Sequence, residues 1–329
     1  MRITPVRVLS CCMLNLLLLQ PVTLLASEQY GKIVHGAQLI TIRYQASFND
    51  AERSMTYRWL NQVTEALLSV YGELPKDSYR ISIRRSSSRH SPVPWGHVER
   101  GSPTNVVLVI NPDLGYQALI DDWTAFHELS HLLLPYRGRG NIWLSEGLAT
   151  YYQNIIQARS GHFDETGMWN RLVSGFERGR KDQRWQHINL TQVSDNLGET
   201  RQYMRVHWSG VLYWLTADVE LRQRGKSSLD EVLKQLRDCC EGQSMSAEEI
   251  VIKLDELIDG KLFVPLFKQY CESYTTPEFE SLLVKLGVEY DSPAGGISFD
   301  ADANMADIRR QIYLSNSALS LKQRAFPPF

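Results

Sequence analysis

Two short segments on either side of a turn constrain this chain more than any other feature. The first is His127-Glu128-Leu129-Ser130-His131, an H-E-x-x-H pattern, and the second contains Glu146. On a helix, side chains four positions apart share a face, so both imidazoles can bind one ion. Turn-forming residues lie between the two segments: Pro135, Gly138, Gly140 and Asn141. The sequence therefore predicts two helices joined by a tight turn, with Glu146 returning to the ion.

The residue types in these segments favour zinc. Zinc binds nitrogen, sulfur and carboxylate donors, and a catalytic zinc site keeps one position open for water. His127, His131 and Glu146 are the predicted ligands of one Zn²⁺ ion. Glu128 follows His127 directly and is predicted to act as the general base on the water. The two segments together predict zinc-dependent hydrolysis.

Composition and charge exclude some partners. The chain has 329 residues, of which 43% are hydrophobic and 22% charged, as is ordinary for a globular protein. The formal net charge is −2 and no long basic block is present, so nucleic acid is not expected as a partner.

The amino-terminal residues 1–26 resemble a secretion signal. Arg2 and Arg7 precede an apolar stretch that ends at Ala26. A cleaved signal predicts a secreted or periplasmic protein with no stable membrane span, and an uncleaved membrane anchor is the alternative. No other segment is apolar enough to span a bilayer.

Three cysteines follow the signal. Cys239, Cys240 and Cys271 contain no C-x-x-C pair. An oxidising compartment permits one bridge, from one of the adjacent pair to Cys271, and buried thiols are the alternative. None is expected to bind zinc.

Hydrophobic periodicity divides the chain into a β-layer and a helical part. Strands are predicted at 38–44, 79–84 and 105–110, with a helix from Asp50 to Tyr71. The first metal helix is predicted over 118–134, with Ser145 as N-cap of the second. Further helices are predicted at 204–222, 229–239, 247–258, 263–274 and 277–286. The expected fold is α+β, with a catalytic domain at 27–290 (β-layer 30–112, helical part 113–290) and a loosely structured return segment at 291–329.

The chain resembles the gluzincin peptidases, whose third zinc ligand is a glutamate on a following helix. Within this group it is most similar to the glycyl-aminopeptidase family and more distantly to aminopeptidase N. The resemblance runs over about 93–288 and rests on these segments: His127–His131, Trp143–Tyr152, Ser209–Leu212 with Asp218–Arg222, 227–233 and 279–288. It implies a thermolysin-like metallopeptidase lobe, with peptide or protein substrates.

Two further roles are implied by the resemblance. The family places a glutamate on an edge strand to hold the free amine of the substrate, and Glu99 is the matching candidate; an exposed loop charge is the alternative. The family also places a tyrosine beside the zinc as the oxyanion donor. His207 stands at that position here, and Tyr203, one helical turn earlier, is a second candidate.

The predicted function is a secreted or periplasmic zinc peptidase, with an aminopeptidase as one form of it. Two alternatives stay open at this stage. One is a zinc-stabilised binding or assembly module with little activity, and the other is a zinc hydrolase of a non-peptide amide or ester.

Overall fold

The computed structural model describes residues 29–44, 48–182, 184–225, 227–290 and 296–314. The segment predicted to be a signal, residues 1–26, lies outside the described residues. Across the described ranges, no helix combines the length and the apolar character needed to cross a membrane.

A five-stranded mixed sheet forms the amino-terminal layer. The strands are β1 (Gln29–His35), β2 (Gln38–Tyr44), β3 (Ser78–Arg85), β4 (Trp95–Glu99) and β5 (Asn105–Ile110). Their spatial order is β1-β2-β3-β5-β4, with β2, β3 and β5 parallel and the outer strands antiparallel. In β2 every second side chain is buried, as expected for a strand with one face on the core. The edge strand β4 is the one that reaches the metal motif.

Helices make up most of the described chain outside this sheet. They are α1 (Asp50–Leu67), α2 (Gly115–Asp121), α3 (Thr124–Ser130), α4 (Ile142–Arg159), α5 (Glu165–Lys181), α6 (Leu190–Asp195), α7 (Leu197–Thr200), α8 (Tyr203–Gln223), α9 (Leu229–Cys240), α10 (Ala247–Leu257), α11 (Phe263–Cys271) and α12 (Glu280–Leu286). The predicted α+β fold class is confirmed.

The predicted strands at 38–44, 79–84 and 105–110 are confirmed as β2, β3 and β5. The single metal helix predicted over 118–134 is wrong, because Asp122 is extended and separates α2 from α3. Its carboxylate accepts a hydrogen bond of 2.7 Å from the backbone N–H of Thr124 and so starts a new helix. A 3-10 turn, His131–Leu133, follows α3.

The prediction that Ser145 is the N-cap of the second metal helix is wrong. The helix α4 begins at Ile142 after Asn141, which has a left-handed backbone with φ of 50°. Ser145 therefore lies inside the first turns of α4, where its side chain is buried and turned towards the metal motif.

The return segment is more ordered than predicted where it is described. Strands β6 (Val288–Tyr290) and β7 (Ile297–Phe299) pair, and α13 (Ala306–Leu314) follows. Arg309 of α13 is buried, donates to the carbonyl oxygens of Leu286 and Gly287, and pairs with Glu165 at 2.8 Å. These bonds hold the segment against the helical lobe.

The cysteine pairing differs from the predicted bridge. Cys239 is bonded to its neighbour Cys240, and Cys271 is a free thiol on α11. The bridge to Cys271 is thus wrong, because the adjacent pair at the end of α9 is closed on itself.

Candidate metal centre

Three imidazole nitrogens surround one carboxylate oxygen where α3, α4 and α8 meet. Oε2 of Glu146 lies 3.2 Å from Nε2 of His127 and 3.6 Å from Nε2 of His131. Nε2 of His207, on α8, is also 3.6 Å from this oxygen. The ligand atoms of His127, Glu146 and His207 all lie within 4.8 Å of one another.

This donor set fits a zinc ion. Imidazole nitrogen and carboxylate oxygen are both zinc donors, and the side chains of His127 and His131 are 6% and 8% exposed. Burial opposes the ionisation of Glu146, yet the nearby His131, His127 and His207 hold the pKa of its carboxyl well below the usual range. The centre therefore offers an ionised carboxylate and imidazole nitrogens at one point.

Two polar side chains orient the imidazoles, and the sequence reasoning missed both roles. Nδ1 of His127 lies 3.0 Å from Oε1 of Gln153, and Nδ1 of His131 lies 3.0 Å from Oγ of Ser145. Fixing Nδ1 in this way directs Nε2 of each ring towards the ion. Gln153 is two helical turns after Glu146, so helical periodicity along α4 was the signal that could have found it.

Glu128 lies beneath the edge strand β4. Its side chain is buried, and no hydrogen-bond partner for its carboxylate is found among the described residues. A methyl group at position 96 would lie 2.5 Å from Cγ of Glu128, so only glycine at Gly96 lets the strand pass this close. The predicted base thus has a carboxylate uncommitted to any described neighbour and a position beside the metal motif.

Glu99 is not brought to the ligands. Side chains alternate between the two faces of a strand, so Glu99 points away from the face on which Gly96 meets Glu128. It accepts a hydrogen bond of 2.7 Å from Asn105 and lies 3.4 Å from His97, which shares its face. The hydrogen bond from Asn105 is the main cause that lowers the pKa of Glu99.

His207 reaches the centre with its second nitrogen engaged. Nδ1 lies 3.1 Å from Oγ1 of Thr150, and burial lowers the pKa of His207 to about 4, so the ring is neutral near pH 7. If Nδ1 accepts from the hydroxyl, Nε2 carries the proton and can donate to an oxyanion. If Nδ1 donates, Nε2 has a lone pair and can bind zinc. Tyr203 is 47% exposed and lines the same cleft.

The approach of His207 to Glu146 depends on two glycines. At the crossing of α4 and α8, a methyl group at Gly210 would lie 2.2 Å from the carbonyl oxygen of Trp143 and 2.6 Å from Cα of Gly147. The two backbones are therefore in direct contact. Glu146 directly precedes Gly147, and His207 lies one helical turn before Gly210. The contact between the two glycines therefore sets the distance between Glu146 and His207.

A wide cleft of about 1240 Å³ opens beside His207. Its walls come from α4, from the start of α8 and from α5, a helix that the sequence analysis did not identify. Trp208 forms part of the wall and packs directly against Gly175 of α5, where a methyl group would lie 2.1 Å from the indole ring. Space for a substrate thus adjoins the candidate metal centre.

Comparison with known proteins supports the predicted metallopeptidase fold. The family model of the M61 glycyl aminopeptidases matches residues 137–218, a segment that includes Glu146 and His207. The predicted resemblance to that family is confirmed over this segment. Comparison with curated protein sequences gives no match.

Solved structures similar to this chain include two bacterial proteins. An aminopeptidase N family protein from Idiomarina loihiensis is 16% identical, with a TM-score of 0.60, and the match covers 80% of this chain and 50% of that one. An M1 zinc metallopeptidase from Deinococcus radiodurans is also 16% identical, with a TM-score of 0.45 over 76% of this chain and 52% of that one. The chain thus spans about half the length of these structures, and the first of them confirms the predicted fold.

Proposed function

We propose that this chain, which resembles the M61 glycyl aminopeptidases over residues 137–218, is a zinc-dependent peptidase. The observation that carries the proposal is the meeting of His127 and His131 at the carboxylate of Glu146, with the buried Glu128 beside them. Two imidazoles, one carboxylate and a nearby base are the groups that metal-assisted hydrolysis requires.

The chain's own residues account for the proton transfers. Zinc, when bound, supplies a Lewis acid that polarises the scissile carbonyl and makes water more acidic. Glu128 accepts the proton of the attacking water and passes it to the leaving amine. For this role the carboxylate of Glu128 must be free of other hydrogen-bond donors. No donor to it is found among the described residues.

The edge strand supports binding of an extended peptide. Strand β4 pairs only with β5 in the described sheet, so its outer side leaves backbone groups that a substrate backbone can pair with. Because Gly96 on this strand touches Glu128, a peptide paired there would pass over the base.

Helix α8 supplies two candidate donors for the oxyanion. His207 and Tyr203 both line the cleft, and Nε2 of His207 lies 3.6 Å from Oε2 of Glu146. In its Nε2–H tautomer His207 donates to the negative charge that develops on the carbonyl oxygen. Tyr203 fills this role in the alternative assignment.

An aminopeptidase, the more specific form of the proposed peptidase, needs an anionic side chain that binds the free amine of the substrate. Glu99, the predicted anchor, lies on the face of β4 opposite Glu128, so we propose peptide-bond cleavage without tying it to the amino terminus. Export through residues 1–26, to a secreted or periplasmic location, is part of the same proposal.

Metal content and turnover of three variants test the proposal. Glu128→Gln should retain zinc and lose cleavage of a peptide library by about 10²–10⁴-fold. His131→Ala should lose both zinc and activity. Glu99→Gln is the matched carboxylate control and should change neither. Cleavage by Glu128→Gln at the wild-type rate would refute the mechanism.

A second function is favoured by one observation. If His207 binds zinc as a fourth protein ligand, the site is closed, as in structural zinc sites, and the chain is a zinc-stabilised binding module. Stoichiometric zinc without cleavage of any peptide, together with recovery of activity in His207→Ala, would establish this alternative.

A further inference from the structure

The helix α5 presents a row of cations to the cleft beside the metal centre. Arg171, Arg178 and Lys181 are spaced seven and then three residues apart, so they lie on one face of the helix. All three line the cleft that also contains His207. A substrate held at the metal centre would extend past them.

Among the described residues, these three cations have no carboxylate partner. Within the described ranges, no acidic oxygen lies within 4.0 Å of Arg171, Arg178 or Lys181. The one acidic side chain in the described cleft lining, Glu177, is already paired with Arg180 and lies 3.5 Å from the hydroxyl of Tyr290. The wall of the cleft thus has a net positive charge.

Aromatic rings position the two guanidinium groups. That of Arg171 lies 4.5 Å from the ring centre of Phe163, and that of Arg178 lies 5.1 Å from the ring centre of Trp208. Stacking on a ring leaves the N–H edge of a guanidinium free to bind a carboxylate through two hydrogen bonds. Trp208 follows His207 in the chain, so Arg178 is held near the candidate oxyanion donor.

Packing against the wall of the cleft also removes part of the hydration of Arg178. Burial of part of its side chain lowers the pKa of Arg178, but the guanidinium stays charged near neutral pH. A carboxylate on the substrate would pair with this charge in a cleft where solvent screens the attraction less than on an open surface.

We propose that the substrate of this site is an acidic peptide whose side-chain or terminal carboxylates bind Arg171, Arg178 and Lys181 on α5. This rests on the proposed peptidase function for the cleavage step alone. Binding of an acidic peptide to the cleft does not require turnover, so the two proposals can fail separately.

Binding to the zinc-loaded Glu128→Gln variant tests the inference. Pairs of labelled peptides that differ only by Glu or Gln at two or three positions are titrated by fluorescence anisotropy at low and high salt. We expect the acidic peptide to bind about tenfold more tightly at low salt, with the difference shrinking as salt screens the contacts. Equal binding of both peptides would overturn the inference.

A charge-matched pair of triple variants identifies the surface. Replacing Arg171, Arg178 and Lys181 with Gln should bring the two peptides to within about twofold of each other. The control replaces three exposed lysines outside the described cleft lining, Lys261, Lys268 and Lys285, and should retain the preference. Retention by the first variant, or loss in the control, would contradict the assignment. All six side chains are exposed, so thermal unfolding should show that both triple variants remain folded.

Turnover then separates the two proposals. Acidic peptides that bind with the expected preference but are never cleaved by the wild-type, zinc-loaded chain would refute the peptidase function and leave the acidic-ligand site standing. Cleavage without any acidic preference would support the peptidase function and refute the cationic subsite.

Discussion

Replacing Gly210 with alanine should separate the two helices that carry Glu146 and His207. The added methyl group would lie 2.2 Å from the carbonyl oxygen of Trp143 and 2.6 Å from Cα of Gly147. Ordinary van der Waals contact begins near 3.4 Å. Because both neighbours are backbone atoms, a side-chain rotation cannot relieve the overlap, and α4 and α8 must move apart by about 1 Å.

The energetic cost follows from this overlap. Overpacking of a filled interior costs about 1–3 kcal/mol, and the higher helix propensity of alanine returns up to about 1 kcal/mol of it. Gly198→Ala is the matched control, since Gly198 lies in α7 and has nothing within 4 Å of the added carbon. The Gly198→Ala variant therefore gains the helix propensity of alanine without any steric overlap. Gly210→Ala should therefore be about 1–3 kcal/mol less stable than Gly198→Ala.

The displacement should also be visible at the metal centre. The 3.6 Å separation between Nε2 of His207 and Oε2 of Glu146 would lengthen, so the groups around the ion would be less well placed. Urea unfolding of the apo chain measures the stability difference, and zinc titration measures the affinity. Equal stability of Gly210→Ala and Gly198→Ala, with zinc affinity as in the wild type, would refute the claim that this crossing builds the site.

Three other perturbations test separate features. Gln153→Leu removes the partner of Nδ1 of His127 and should weaken zinc binding by about 10–100-fold, measured by competition with a chelator. Gly96→Ala should push Glu128 from its place and lower kcat while zinc content, measured by mass spectrometry, stays unchanged. Burial lowers the pKa of His162, so the unfolded chain binds its proton more readily than the folded one. The free energy of unfolding should fall as the pH falls below about 6.5, and His162→Gln should reduce this dependence in urea titrations at several pH values.

Much of the fold and part of the site could be predicted from local sequence patterns. The alternation in β2 and the repeated apolar positions of α8 specify a strand and a helix through contacts a few residues apart. The H-E-x-x-H spacing likewise places His127 and His131 on one helical face. Glu128 belongs to the same segment, and Glu146 could be predicted as a ligand because only a short turn separates the two helices.

Other features depend on which surfaces meet in the folded chain. The pleat of β4 turns Glu99 away from Glu128, and a one-residue change of register would reverse this. The contact of Gly147 with Gly210 determines that His207 approaches Glu146, although 61 positions separate His207 from Glu146. The sequence by itself determined the metal-binding residue types and their helical spacing, because those are local. The resemblance named His207 as a candidate, but only the tertiary structure decided its approach to Glu146, the orienting side chains and the cationic wall of the cleft, because each depends on how separate helices pack together.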